Sequence, residues 1–342
     1  MEVTRVNDQN FIQEGIRWMD PVPLTAFACL MTIATAAYQC STDRILKYFA
    51  LVVRHVNEYL TKTARVPCEY GIMRSIQRIR LIANEFAAQA QIMACKPGEA
   101  LNNMKDMMVF SSKIGQTCLL HEEFGPIIQN LLGLYCIYLR EHDLAEQHFK
   151  AALMIRPNLH KNAVIMVNTN LCILYLSQCR HADYYSVAEN LVPNRVDNCT
   201  MVVRANVKFA LAIHAFLLNK TSEFRGLSED VLNVAKVEDI FRLHNLAIMV
   251  CSQCFPVGVD ALHSCISWGS RGLDHMMLCW SNKTLAKVKK QNNEVYEPEE
   301  QASLEARKIA SKEAIWTLHH DHASKNLVQW FGGDFREFCD TH

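Results

Sequence analysis

Residues Asn130–Pro157 read N-L-L-G-L-Y-C-I-Y-L-R-E-H-D-L-A-E-Q-H-F-K-A-A-L-M-I-R-P, and the rest of the chain is placed relative to them. Each distinctive residue has a physical task. Gly133 and Ala145 are small enough for two antiparallel helices to approach closely, Leu132 and Phe149 fill the seam between them, and Pro157 cannot continue the second helix. Cys136 and Ala152 complete the set. The stretch predicts one helical hairpin, a unit that gains stability by stacking on others.

These positions match those that a tetratricopeptide repeat reserves for Leu, Gly, Tyr, Ala, Phe, Ala and Pro in six of seven cases, with Cys136 in the Tyr place. Composition agrees. A chain of 342 residues buries about three quarters of its unfolded surface, so it requires no metal or disulfide staples. It is 50% hydrophobic with only 12 Gly and 9 Pro, which favours helix over sheet. The 35 basic and 35 acidic side chains cancel and form no long basic run, which argues against direct, electrostatically driven binding of nucleic acid. The 14 Cys are scattered along apolar helical faces and read as buried thiols in a reducing compartment. Met1–Asn10 lacks the pattern of a signal peptide, and Leu24–Tyr38 is shorter than the roughly 20 apolar residues that span a bilayer. A soluble intracellular chain is expected.

Read outward from the quoted hairpin, the plan repeats. Asp20-Pro21 opens an apolar helix through about Gln39, and Ser41-Thr42-Asp43 opens a partner carrying Ile45, Phe49, Val52, Val56 and Leu60 on one stripe. Pro67 and Gly71 precede a long helix that Lys96-Pro97-Gly98 is expected to end, and a partner from about Glu99 to Ile114 buries Met104, Met107, Met108 and Phe110. After Pro157, Leu171, Cys172 and Tyr175 repeat the first-helix positions, and Pro193 closes a short partner. Ala212 and Ala215 mark the next first helix, followed by pairs at 238–254 with 259–270 and 272–289 with 298–323. The expected architecture is all-α: a right-handed tetratricopeptide-like α-solenoid of about seven hairpins. It occupies 21–325, between an N-terminal extension at 1–20 and a cap or tail at 326–342.

Three phrases together resemble the chromatid cohesion factor family: L-L-G-L-Y-C with A-E-Q-H-F at 131–149, V-E-D-I-F-R-L at 237–243, and N-L-V-Q-W-F-G-G-D at 326–334. The resemblance covers about Trp18 to Asp334 and is strongest after Asn130. It implies a nuclear, chromatin-associated protein without catalysis or cofactor. Its superhelix would enclose the N-terminal segment of the large Nipped-B-like HEAT-repeat subunit of the cohesin loader. It also implies roles in cohesin loading, sister-chromatid cohesion and cell division, and in animals in neuronal migration and axon guidance. Relative to the family the chain is expected to lack N-terminal repeats, with Phe335–His342 in place of a Pro-rich tail. A tetratricopeptide adaptor for another assembly is the alternative reading.

In a tetratricopeptide unit the first helix lines the concave groove. The predicted groove residues are Asn130, Leu134 and Tyr138, then Met166, Thr169 and Ile173, then Asn206, Phe209, Ile213 and Phe216. Their apolar side chains would bury those of a bound peptide while Asn130 and Asn206 bond its backbone. Leu134 and Ile173 stand where a chaperone-type carboxylate clamp needs Asn, which disfavours chaperone docking. Cys251 and Cys254 have the spacing of a redox motif but are expected as buried thiols within one helix. His319, His320 and His322 are either a metal or pH-responsive cluster or simply cations favoured at a helix C-terminus. Trp330 and Phe331 are either a cap over the open end of the solenoid or a partner contact. No phosphate loop, nucleophile elbow or metal-ligand pair is recognisable, so no enzyme is expected.

Overall fold

Apolar stripes at helical spacing, separated by short polar breaks, become hairpins because neither helix can bury its stripe alone. In the computed structural model, residues 21–63, 70–113, 120–154, 160–320 and 327–331 are described. They contain fifteen α-helices and no strand. The first three pairs are α1 (Pro21–Tyr38) with α2 (Thr42–Thr63), α3 (Tyr70–Met93) with α4 (Pro97–Lys113), and α5 (Leu120–Leu139) with α6 (His142–Met154). The fourth is α7 (Lys161–Ser177) with α8 (His181–Ala188), extended by a 3-10 turn at Glu189–Leu191 and by α9 (Pro193–Val196). The last three are α10 (Met201–Leu217) with α11 (Thr221–Val237), α12 (Phe241–Cys251) with α13 (Val259–Gly272), and α14 (His275–Gln291) with α15 (Glu297–His320). The first helix of each pair also packs on the first helix of the next, from α1 through α14, so the seven pairs share one continuous core.

The quoted hairpin shows why the pairs pack so closely. A Cβ on Gly133 would lie 2.5 Å from the Phe149 ring, and both residues are buried. Leu132, Cys136, Ala145, Phe149 and Ala152 are all fully buried. Met104, Met107 and Met108 are likewise inaccessible, whereas Phe110 is only half-buried beneath the Arg80 guanidinium, 4.0 Å from its ring. Between pairs three and four, burial raises the Glu146 carboxyl, but hydrogen bonds from Arg180, Lys150 and Tyr175 outweigh it and hold the group at about 2.

The turns differ from expectation. Six of the seven hairpin turns carry a left-handed residue, namely Cys40, Cys95, Arg140, Cys179, Asn219 and Asn293, and none of these is Gly. Each is fixed by the same closure, in which the following N–H reaches back past the helix end: Ser41 to Ala36 O, Lys96 to Gln91 O, Glu141 to Cys136 O. A left-handed L residue costs about 1–2 kcal/mol, which the stacked pairs offset. Lys96-Pro97-Gly98 does not end a helix on its own: α3 stops at Met93, and Pro97 is the first residue of α4. Cys40, Cys95 and Cys179 therefore sit in turns rather than on helical faces. Cys254 likewise lies exposed in the turn beyond α12, which ends at Cys251. Asp20, Pro67, Pro157, His322 and residues 332–342 fall outside the described residues, as do the side chains of His319 and His320.

The two ends of the solenoid meet. Thr42 Oγ1 donates to the Gly272 carbonyl at 2.7 Å, and a Cβ on Gly272 would come within 3.1 Å of the Cys40 carbonyl. The Cys95 thiol, pushed up by burial, faces the backbone N–H groups of His275 and Met276 at the start of α14. The long α15 turns back to pack on α4 and α5, where Tyr138 Oη donates to Ala310 O at 2.8 Å. Trp330 is buried, but in the middle of the superhelix. Gln129 Nε2 donates to Trp330 O at 3.1 Å, His148 lies 2.8 Å from Val328 O, and the His148 and Phe331 rings are 4.7 Å apart.

At the other end, α1 buries Ala26, Cys29, Leu30, Ile33 and Ala36 and exposes Leu24, Phe27, Met31 and Tyr38. By length and composition it is the one described helix apolar enough to cross a membrane. Here it supplies the first layer of the solenoid, against α2 and α3.

Two substitutions and two titrating groups test this packing. Gly133→Ala lowers it by about 2 kcal/mol in denaturant unfolding, because overpacking against Phe149 exceeds the roughly 1 kcal/mol gained in helix propensity. Trp330→Ala costs about 3 kcal/mol, since the ring fills the α5–α6 surface rather than a frayed end. Burial raises Glu85 on α3 to about 7, so its contribution is complete below the ordinary carboxylate range and is lost as pH rises through 7. Burial lowers His148 to about 4, which is the opposite case: stability is lost as pH falls from about 6.5 towards 4. Glu85→Gln therefore matches the wild type at about pH 3.5 and exceeds it at pH 8 by up to roughly 3 kcal/mol, readable as two denaturant midpoints.

Candidate functional site

Where the two ends approach, the superhelix encloses a cavity of about 890 Å³. Size and position make it the site to examine, because concave, partly apolar spaces between helices are where ligands lodge. Its apolar wall includes Phe86 and Met93 of α3, Leu134 of α5, Met166 of α7, Leu243 and Leu246 of α12, and Met276 of α14. Polar groups interrupt this wall at intervals of one repeat. Asn130, Asn170 and Asn206 come from α5, α7 and α10, and Asn170 Nδ2 donates to Asn130 Oδ1 at 2.9 Å. Asn206 Nδ2 donates to Val202 O at 2.8 Å, so its amide oxygen is not used in that bond and can accept another.

Five predicted groove residues therefore line one cavity: Asn130, Leu134, Tyr138, Met166 and Asn206. The other five do not. Thr169 is buried with its hydroxyl bonded to Ile165 O, and the neighbouring Asn170 takes the cavity position. Ile173 is half-buried away from the lining. Phe209 packs among Val231, Ala235, Leu243 and Ala247 with Ile213 against it, while Phe216 meets Phe224 at 5.7 Å. These α10 residues hold neighbouring pairs together, because the superhelix turns their face from the cavity towards α11 and α12.

Sequence reasoning missed the wall made by α15, where Arg307, Ala310 and Ser311 face the cavity. The rule that first helices line the concave side excludes a second helix, and no periodicity in 297–320 announces its return onto α5. Charge is uneven across the site. Arg140, Arg242 and Arg307 line it against Asp274, which pairs with Arg242 at 3.4 Å and also accepts the Met277 N–H at the start of α14. On the α3 side, Glu85 lies one turn from Gln89, whose Nε2 donates to it at 3.2 Å. A largely apolar wall with polar and charged groups spaced along it is of the kind that can hold an extended chain.

No family model matches the chain, and no solved structure does. Among curated proteins it is 34% identical to Maternal uncoordinated protein 2 of Caenorhabditis elegans over 333 residues, covering 94% of this chain and 55% of that protein. It is 22% identical to the MAU2 chromatid cohesion factor homolog of Nematostella vectensis over 244 residues, covering 71% of this chain and 38% of that protein. The chain thus spans about half the length or less of these relatives. The phrases at 131–149, 237–243 and 326–334 now lie on one folded unit: the first is the signature hairpin, the second leads into α12, and part of the third packs over α5 and α6. Together with a relative that matches almost the whole chain at 34% identity, this bears out the resemblance to the chromatid cohesion factor family.

Proposed function

We propose that the protein is a non-catalytic scaffold that holds the N-terminal segment of the Nipped-B-like HEAT-repeat subunit of the cohesin loader in its central cavity. Through that complex it supports cohesin loading onto chromatin in the nucleus and, with it, sister-chromatid cohesion. The observation that carries the reading is the cavity of about 890 Å³ in which Asn130, Asn170 and Asn206 recur among apolar side chains. An extended segment presents backbone donors and acceptors at regular intervals, so amides spaced along successive repeats can bond it without reading its sequence. The apolar residues between them bury whatever side chains point towards the wall. The name of the Nematostella vectensis relative supports the link to chromatid cohesion.

The test is co-expression of the chain with the loader segment, followed by sizing. A one-to-one complex is expected. Leu134→Glu, which puts a charge on the half-buried cavity wall, should weaken binding by about two orders of magnitude and lower the melting temperature by less than Trp330→Ala does. A folded wild-type chain that forms no complex would falsify the assignment and favour an adaptor for another assembly.

A further inference from the structure

The proposed function leaves open which chemistry the cavity selects, and its charged groups bear on this. Arg140 is in the left-handed turn between α5 and α6, two residues after Tyr138. Arg307 is on α15, one turn before Ala310, whose carbonyl accepts the Tyr138 hydroxyl. The Tyr138–Ala310 bond therefore brings both guanidinium-bearing residues to one region of the wall, and both line the cavity. Among the described residues neither has a carboxylate within ion-pair distance. The third cavity arginine, Arg242, is already matched by Asp274. Two like charges thus share a concave, partly apolar space without a counter-charge from the fold, an arrangement that favours an incoming anion and disfavours a cation.

The geometry points to an acidic side chain in the bound segment, received by Arg140 and Arg307 beside the Tyr138–Ala310 contact. This rests on the cavity being the site that holds the segment. The segment is then selected in two ways. Asn130, Asn170 and Asn206 accept any backbone, and the arginine pair sets the register by fixing where a carboxylate must fall. A neutral or basic residue at that point leaves both guanidinium groups without a counter-charge, so the pair also rejects incorrect registers.

The experiment uses the full chain and the N-terminal segment of the loader's HEAT-repeat subunit. Arg140→Gln and Arg307→Gln should each weaken binding about tenfold, and Arg140→Glu with Arg307→Glu about a hundredfold. Both side chains are exposed, so these variants should unfold like the wild type. Raising salt should weaken the wild-type complex and, by screening the new repulsion, strengthen the charge-reversed one. Replacing the segment's acidic residues by Lys one at a time should identify a position that restores affinity to the reversed chain. If the reversed chain binds as tightly as the wild type while Leu134→Glu abolishes binding, the acidic selection is wrong and the cavity assignment stands. If the wild-type chain forms no complex with the segment, both are overturned.

Discussion

The Phe149 ring occupies the space that a Cβ on Gly133 would need, and the two helices of the third pair approach closely only because that atom is missing. Much else depends on this approach. It brings Leu132 and Cys136 into the shared core and aligns α5 with α3 on one side and α7 on the other. It also presents the outer surface of α5 and α6 on which Leu327 and Trp330 settle. Apolar burial between pairs supplies the larger energy, but it is realised in this register only if the helices within a pair lie close enough for neighbours to interlock.

The fold was legible where a residue's size or period was the whole signal. Gly133, Ala145 and Phe149 announce a close hairpin, and the apolar stripes of α2 and α12 announce helices, because these properties are local. Turns were less legible. Their left-handed positions are held by Cys, Arg and Asn instead of Gly, so the chain accepts a local cost that stacking offsets, and sequence alone does not display the offset. The cavity was half legible for the same reason. Asn130, Leu134, Tyr138, Met166 and Asn206 follow from first-helix geometry, whereas the exchange of Thr169 for Asn170 is a slip of one residue that only the accumulated rotation of the solenoid decides. Arg307 was illegible, because its place depends on α15 meeting a helix 172 residues away by the Tyr138–Ala310 bond.

The polar residues that matter most here are either matched or deliberately spaced. His148 is fully buried yet touches Gln129 Oε1 at 2.7 Å and Val328 O, so the terminal segment satisfies a side chain that would otherwise be stranded in the core. Among the described residues Glu85 is hydrogen-bonded by Gln89, and burial moves it towards neutrality. In the cavity the amides bond one another or their own helices through one group and keep another available. The same wall is therefore stable when empty and still able to bond a guest.

Closure of the ring has a consequence for how the protein is made. Thr42 and Gly272, which join at the closing contact, are separated by 230 residues, and Ala310 is synthesised still later. At the usual pace of about 5–20 residues per second, a ribosome takes roughly 10–50 seconds to deliver the second half of that contact after the first. Until Gly272 has emerged, the contact with Thr42 cannot form, and the repeats made before it stack with that side open. The wall that α15 supplies is therefore the last to be completed, at a time set by chain length.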